Sequence, residues 1–249
     1  MILAVNIGNT NIRAAIGQRQ PVSEAVAFWE EVPTGDAVAW FFEEQFGGDL
    51  WQRIEGCIIA SVAPKKTPVV MDAIRAKTSA PLRRIGFASL RGLSVARYKD
   101  TPGEDRVVCC VGALQKYAPP LIMIDFGTAT TVNVIDAEKR FLGGAILAGL
   151  HISLEALAGR TAQLPLIEQL RGEIPLIGGS TREGLISGAV LGEAFAAEGY
   201  VARLRESLGA GTPVIVTGGH APAILPYCTF AHIHEPNLLL SGLFALYGE

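Results

Sequence analysis

The sequence predicts an α/β fold built from two similar halves, and two observations carry this prediction. Apolar runs typical of strands are followed by stretches with helical spacing of apolar residues, a pattern that favours mostly parallel sheets flanked by helices. A strand that turns over a glycine into amide and hydroxyl side chains occurs at residues 5–10 and again at 124–131. These turns lie about half of the 249 residues apart. The spacing predicts a duplicated domain.

The same order of elements is predicted in each half. The first half has strands at 2–6, 12–16, 25–29 and 56–62 and helices at 36–46 and 68–76. The second half has strands near 121–125, 131–135, 141–146 and 213–217 and helices near 150–160 and 181–207. The polar stretch 98–106 precedes a helix that begins near Asp105, and it serves as the joint. We expect domains at 1–113 and 114–249.

Composition excludes several classes of protein. With 49% hydrophobic and 18% charged residues, the chain is too apolar for disorder, and its net charge of −3 offers no basic field to nucleic acid. The apolar N-terminal run, residues 1–5, is too short for a signal peptide or a membrane span. We expect a cytoplasmic protein without a membrane partner. The cysteines lack C-x-x-C spacing and the histidines lack H-E-x-x-H spacing, so no zinc site is predicted.

The first turn, Asn6 to Thr10, predicts a phosphate site. Gly8 can take a positive φ and lets backbone N–H groups approach an anion, while Asn9 and Thr10 add side-chain donors. An ordinary hairpin turn is the alternative, since Asn and Gly are common there as well. The repetition of this chemistry in the second half favours the phosphate site.

The second turn predicts a phosphate site beside a cation site. Asp125 is followed by Gly127, and Thr128 and Thr130 offer hydroxyl donors to phosphate oxygens. A carboxylate in this setting is typical of an oxygen site for a cation. The alternative is a carboxylate that only stabilises the turn.

The joint carries a candidate general base. Phosphoryl transfer to an alcohol needs a carboxylate within reach of the attacking hydroxyl, and Asp105 is our candidate. Arg106 is unfavourable to the helix dipole at this position, which indicates an anionic ligand. Alternatively, Asp105 caps the helix and Arg106 is a solvated cation.

Taken together, these motifs resemble the type III pantothenate kinases, members of the acetate kinase, sugar kinase, Hsp70 and actin superfamily. The motifs are, in chain order, Gly8-Asn9-Thr10, Ser61-Val62-Ala63-Pro64, Gly103-Glu104-Asp105-Arg106, Asp125 to Thr131, Gly143-Gly144, Thr161 to Pro165 and Thr217-Gly218-Gly219. The resemblance implies two duplicated ribonuclease H-like (actin-like ATPase) domains with the active site in the cleft between them. It also implies phosphorylation of pantothenate by ATP, the first step of coenzyme A biosynthesis, in a homodimer.

The resemblance assigns roles on the acceptor side. It makes Asp105 the catalytic base and Arg106 the ligand of the pantothenate carboxylate, with Gly103 in the same motif. Tyr98 aligns with a tyrosine near the pantothenate pocket, and Thr161 with a threonine that faces the substrate.

On the nucleotide side, the resemblance implies that Gly218 and Gly219 lie against the nucleoside and that Asp125 holds a monovalent cation, K⁺ or NH₄⁺. Asn6 stands where the family has an aspartate that holds the Mg²⁺ of the metal–ATP complex. An amide oxygen attracts Mg²⁺ less than a carboxylate does, so a weakened metal site is expected.

Two alternatives to this function stay open from the sequence. Because of Asn6, the chain could be a catalytically impaired paralogue that binds nucleotide or pantothenate as a regulatory or accessory protein. A sugar kinase of the same superfamily is the other alternative, although no residues that would recognise a sugar are identifiable.

Overall fold

The computed structural model describes residues 1–87, 90, 92–95, 98–170 and 172–248. The chain forms two compact units. Unit 1 comprises Met1–Ala118, Lys139–Phe141 and Asn237–Glu249, and unit 2 comprises Pro119–Glu138 and Leu142–Pro236. The C-terminal residues therefore belong to unit 1, whereas the division expected from the sequence placed them in the second half.

Each unit contains one five-stranded sheet. The strands are β1 (Ile2–Ile7), β2 (Asn11–Gly17), β3 (Pro21–Phe28), β4 (Gly56–Ser61), β5 (Leu82–Arg84), β6 (Leu121–Phe126), β7 (Ala129–Ile135), β8 (Phe141–Ala148), β9 (Val214–Thr217) and β10 (Ile233–His234). Their orders are β3-β2-β1-β4-β5 and β8-β7-β6-β9-β10. In both sheets the central strand is antiparallel to the next strand in sequence and parallel to its other neighbour. The predicted duplication is confirmed. The first sheet has two antiparallel and two parallel pairings, so it is mixed and not mostly parallel, because β1, β2 and β3 follow one another through short turns.

Helices flank these sheets. They are α1 (Gly35–Phe46), α2 (Leu50–Arg53), α3 (Thr67–Lys77), α4 (Glu104–Leu114), α5 (Leu150–Arg160), α6 (Thr181–Leu208), α7 (Ala221–Ile224) and α8 (Leu238–Gly248). The first backbone N–H groups of a helix have no partner within the helix, and side chains at two helix starts bind them. The Thr34 side chain accepts a hydrogen bond from the backbone N–H of Ala37 in α1, and the Ser180 side chain accepts one from that of Glu183 in α6.

The hydrophobic core of unit 1 lies on one face of its sheet. Alternate side chains of β1, including Leu3, Val5 and Ile7, pack with the apolar residues of α1 and α3, such as Phe42 and Val70. Strand alternation sends Asn6 to the opposite face, where α4 and α8 contact the sheet. The face that carries Asn6 is therefore the face that α4 covers.

Helices α4 and α8 approach closely through two glycines. A Cβ on Gly112 would lie 2.3 Å from the carbonyl oxygen of Leu238, and one on Gly242 would lie 2.1 Å from that of Val108. Any side chain at either position would collide with backbone. This contact fixes the helix whose first turn carries Asp105 and Arg106.

The core of unit 2 lies between its sheet and the helices α5, α6 and α7. Ile122, Ile124 and Phe126 of β6 pack with buried residues of α5 and α6. Among the described residues, α6 alone has the length and hydropathy of a membrane-crossing helix, a test that buried helices also pass. Its residues Val190 and Ala194 belong to this core.

Three glycines of α6 do not pack against another element of unit 2. Among the described residues, no atom outside the adjoining turns of α6 lies within 4 Å of a Cβ placed on Gly184, Gly188 or Gly192. These glycines instead line a cavity of about 500 Å³, together with residues of β8 and α5.

Candidate active site

The first turn of α4 places the candidate base in a partly desolvated position. The N-cap is Gly103, which has no side chain, and Asp105 is the second helical residue. Its Oδ1 atom accepts a hydrogen bond from the backbone N–H of Arg106 at 2.8 Å. Burial raises the pKa of Asp105, and the bond to Arg106 and the charge of Arg106 offset this in part. The carboxyl group is therefore a stronger base than a solvated aspartate.

Glu104 holds this turn against the sheet. One carboxylate oxygen accepts from the backbone N–H of Ser61 at 2.7 Å, and the other accepts from the Arg84 guanidinium at 3.0 Å. The ends of β4 and β5 are thereby tied to the start of α4. No local signal in the sequence predicts this role of Glu104, because its partners lie 43 and 20 residues away.

The guanidinium group of Arg106 is buried between aromatic rings. Arg106 is 8% exposed, and its Nη1 donates to the hydroxyl of Tyr98 at 3.3 Å. Its Cζ lies 5.3 Å from the ring centre of Phe141 and 5.8 Å from that of Tyr98. Such cation–π contacts hold the charge in one place. The alternative of a solvated cation at Arg106 is wrong.

At the first turn, the amide of Asn6 is buried. Asn6 is 6% exposed, and its Oδ1 has no hydrogen-bond partner among the residues that the structure describes. Gly8 donates its N–H to the carbonyl oxygen of Asn11 at 2.9 Å and closes the turn. Asn9 and Thr10 are exposed to solvent.

The turn glycines do not use the conformational freedom that the sequence suggested. Neither Gly8 nor Gly127 has a positive φ. Their role is close approach, because a Cβ on Gly8 would lie 3.0 Å from the Asn11 carbonyl oxygen and one on Gly127 would lie 3.1 Å from Oδ1 of Asp125.

At the second turn, glycines surround the carboxylate of Asp125. Gly218 has a φ of +104°, and a Cβ there would lie 2.5 Å from Oδ1 of Asp125 and 2.4 Å from the carbonyl oxygen of Phe126. Gly219 has open space on its Cβ side, and Thr128 is exposed. Asp125, Gly127 and Gly218 thus meet at one point of unit 2.

Thr130 differs from its predicted role. It lies next to Thr131 on β7, and strand alternation places it on the face of Phe126 and Val132 rather than that of Asp125. The side chain is buried, and its hydroxyl donates to the carboxyl group of Glu193. The hydroxyl proton of Thr130 is therefore engaged inside unit 2 and is not offered to a phosphate.

Thr161 stands apart from these groups. It is the exposed C-cap of α5, where its hydroxyl donates to the Leu157 carbonyl at 2.8 Å and accepts from the N–H of Leu164 at 3.3 Å. This is the geometry of a helix-terminal hydroxyl.

Two histidines that the sequence analysis did not select lie at the second turn. The ring of His220 contacts the carbonyl oxygen of Gly127 through Nδ1 at 3.1 Å. The ring of His151 stands edge-on to it, with 4.8 Å between ring centres. Burial and the charge of His151 lower the pKa of His220, although its bond to Gly127 acts in the opposite direction. Without metal-site spacing, only the fold could reveal this pair.

Comparison with known proteins decides the family. Residues 2–203 match the sequence profile of the type III pantothenate kinases. The chain belongs to this family. A type III pantothenate kinase of Thermomicrobium roseum is 33% identical over 254 residues, covering 99% of this chain and 96% of the relative. One of Rubrobacter xylanophilus is 36% identical over 262 residues, covering 99% and 97%.

A solved structure agrees with the fold of this type III pantothenate kinase. A Campylobacter jejuni protein assigned to the Baf family of transcriptional activators aligns with a TM-score of 0.63, covering 99% of this chain and 97% of that protein. At 15% sequence identity the likeness concerns the fold alone.

The type III pantothenate kinase family membership fits the grouping of the predicted residues. Unit 1 brings together Gly103, Asp105, Arg106 and Tyr98 at the start of α4. Unit 2 groups the second phosphate turn with Gly218 in the same way, whereas Thr130 and Thr161 point elsewhere.

Proposed function

We propose that this protein transfers the γ-phosphoryl group of ATP to the hydroxyl group of pantothenate and so forms 4′-phosphopantothenate, the first step of coenzyme A biosynthesis. The observation that carries the proposal is the pair at the start of α4, a partly desolvated Asp105 next to a buried Arg106. A base and a fixed cation side by side suit an acceptor that has both a hydroxyl and a carboxylate.

The chemistry proposed for unit 1 needs no covalent intermediate. Asp105 accepts the proton of the attacking hydroxyl, and its raised pKa favours that transfer. Arg106 binds the pantothenate carboxylate, and Tyr98, which accepts from Arg106, orients the guanidinium group. Gly103 keeps space for the base, because a Cβ there would lie 2.6 Å from Oδ1 of Asp105.

The nucleotide is proposed to bind through the two phosphate turns. Gly8, Asn9 and Thr10 contact phosphate oxygens, and so do Gly127 and Thr128. Gly218 and Gly219 support the nucleoside, since Gly219 leaves its side open. We do not include Thr130 among the residues that contact phosphate, because its hydroxyl group donates to Glu193.

The residues present fit two cations of different kinds. The buried, unpartnered Oδ1 of Asn6 suits a neutral ligand to Mg²⁺ or to its bound water. The carboxylate of Asp125 next to the turn glycines suits K⁺ or NH₄⁺. When bound, the divalent cation neutralises charge on the phosphates during transfer.

We also propose that the protein is a cytoplasmic homodimer. Support comes from apolar side chains exposed on unit 2, among them Ile146, Ile177 and Phe195 at 64%, 86% and 50% exposure. Large apolar side chains gain free energy when a partner surface removes them from water, which favours an interface on unit 2. Analytical ultracentrifugation of the full chain tests this, and a monomer at micromolar concentration would contradict it.

A pantothenate-dependent assay tests the reaction. The full chain is incubated with ATP, Mg²⁺ and K⁺, with and without pantothenate, and both ADP and phosphopantothenate are measured. We expect ADP to appear only with pantothenate and in equal amount to the phosphorylated product. ADP formation at the same rate with and without pantothenate would contradict the proposal. Replacing pantothenate with a series of sugars in the same assay tests for a sugar kinase.

A further inference from the structure

In each unit, the carbonyl group of the turn glycine lies against a nitrogen of an aromatic ring. In unit 1, Nε1 of Trp29 donates to the carbonyl oxygen of Gly8 at 2.9 Å. In unit 2, Nδ1 of His220 lies 3.1 Å from the carbonyl oxygen of Gly127. The ring residues are 21 and 93 positions away along the chain and are of different types, so no local motif explains the match.

The chemistry of the acceptor fixes the tautomer of His220. A carbonyl oxygen can only accept, so Nδ1 of His220 carries the hydrogen and donates it. The backbone N–H of His220 also donates to the carbonyl oxygen of Phe126 at 2.9 Å. His220 thus holds two successive carbonyl groups at the second turn.

These bonds determine where the neighbouring N–H groups point. In a trans peptide the C=O bond and the N–H bond of the next residue lie in one rigid plane and point in opposite directions. A Gly8 carbonyl directed at Trp29 therefore turns the N–H of Asn9 the other way. In the same manner, a Gly127 carbonyl directed at His220 turns away the N–H of Thr128.

Further contacts hold the Trp29 ring, the His220 ring and the second turn in place. The ring of His151 stands edge-on to that of His220, with 4.8 Å between the ring centres. Trp29 is 7% exposed, and the ammonium group of Lys66 lies 4.9 Å from the centre of its indole. The second turn is confined by Gly149, where a Cβ would lie 2.2 Å from the Thr128 carbonyl oxygen. Neither glycine peptide can rotate without breaking a bond to a fixed ring.

We infer that Trp29 and His220 are positioning residues of the two phosphate turns, and that each fixes a glycine peptide so that the next N–H faces the nucleotide. Trp29 acts on the N–H of Asn9, and His220 acts on that of Thr128. The inference rests on the proposed function in taking the phosphates of ATP as the ligand. Backbone N–H groups that are already aligned bind an anion without the cost of ordering the turn.

The inference is tested with variants that keep an aromatic ring at position 29 or 220 but have no ring N–H group. Trp29→Phe and His220→Phe remove the donors, and His220→Asn returns an amide donor near the position of Nδ1. We measure the Kd of Mg²⁺–ATP by calorimetry on the full chain without pantothenate, together with kcat and both KM values. The loss of one aligning hydrogen bond should raise Kd and KM for ATP by about 3- to 10-fold. KM for pantothenate should not change, and His220→Asn should restore most of the affinity.

The chain offers a matched control for each variant. Trp51 donates through its indole to Glu43 at 2.6 Å, and Nδ1 of His232 lies 2.9 Å from the carbonyl oxygen of Phe230. Trp51→Phe removes an indole hydrogen bond to a carboxylate, and His232→Phe removes an imidazole contact with a backbone carbonyl, both away from the turns. An ATP Kd in a turn variant equal to that of its control would overturn the inference for that turn.

Two further outcomes are decisive. If Trp29→Phe lowers the melting temperature too far to be studied, His220→Phe and His220→Asn decide the inference, and failure of the amide to rescue would overturn it. Wild-type protein that binds ATP but forms no phosphopantothenate would contradict the proposed function, while the ATP Kd values would still decide the role of the rings. Wild-type protein that binds no ATP would overturn the inference.

Discussion

The hydroxyl group of Thr130 donates a hydrogen bond to the carboxyl group of Glu193 inside unit 2. Both residues are buried, and Oε1 of Glu193 has no hydrogen-bond partner among the described residues. Burial raises the pKa of Glu193, and the bond from Thr130 lowers it only in part. Removing a carboxylate from water without a cationic partner disfavours its charged form. The ionised form of Glu193 therefore destabilises unit 2.

Glu193→Gln should make the protein more stable relative to the wild type as the pH rises. Because the folded pKa of Glu193 is raised, its contribution to stability is present below the unfolded pKa and is lost as the pH rises through the folded value. The amide does not titrate, so the free energy of unfolding of the variant should rise relative to that of the wild type as the pH is raised from 4 to 8. Urea unfolding at both pH values measures this. Glu206→Gln, at an exposed position of α6, is the control, and an equal gain there would contradict the prediction.

Asp105→Asn should lower kcat by at least about 100-fold, the usual contribution of a positioned base. The amide oxygen can still accept from the N–H of Arg106, so folding and the Kd of ATP should not change. Steady-state kinetics and calorimetry give these values. Asp100→Asn, an exposed carboxylate in the preceding loop, should keep wild-type turnover. Unchanged turnover in Asp105→Asn would show that another group accepts the proton.

The dependence of kcat/KM on pH should show the raised pKa of the partly buried Asp105. The base must be ionised, and its pKa is raised, so kcat/KM should fall on the acid side with a midpoint above about 4, the ordinary value for aspartate. We expect a wild-type profile that is flat near neutral pH and declines toward acid. A midpoint below that of a solvated aspartate would show that hydrogen bonds to the charged form outweigh burial.

Asp125 should make turnover depend on the monovalent cation. Replacing Na⁺ with K⁺ or NH₄⁺ at constant ionic strength should raise kcat, since the larger ions suit a site of one carboxylate and backbone oxygens. Asp125→Asn should remove the difference between the salts. Equal wild-type rates in all three salts would exclude this role for Asp125.

Asn6→Asp should tighten the binding of Mg²⁺–ATP about fivefold and raise turnover, because a carboxylate attracts the cation more than an amide does. Asn11→Asp, nearby in the same hairpin, controls for the added charge. Titration of Mg²⁺ against rate gives the effect. A wild type that already turns over rapidly and gains nothing would show that phosphate and water alone hold the metal. Absence of product in both proteins would indicate a non-catalytic paralogue.

The elements predicted best from the sequence are those whose signal is local. Strands β1, β4 and β6 each contain an apolar run of at least four residues, and they lie within one residue of the predicted ranges. Helix α6 was expected at 181–207 and spans Thr181–Leu208. The repetition of a glycine turn at half the chain length was enough to predict two equivalent sheets. Hydrophobic periodicity and turn chemistry act over a few residues, so a sequence displays them directly.

Short and uniformly apolar elements were not predicted. Strands β5 and β10 have three and two residues, and their positions depend on pairing with β4 and β9. Helix α8 is apolar on nearly every side, so its sequence shows no amphipathic period. It is held in the core because Gly242 of α8 packs directly against the backbone of α4 at Val108. Such elements derive their stability from tertiary packing.

The sequence by itself determined the duplicated α/β architecture, the family, and the candidate base and cation at Asp105 and Arg106. Only the tertiary structure decided which way the side chains face and what they contact. It turned Thr130 toward Glu193, buried Arg106 among aromatic rings, and brought Trp29 and His220 to the glycine carbonyls. These relationships join residues tens of positions apart, and strand register and helix packing create them only when the chain has folded.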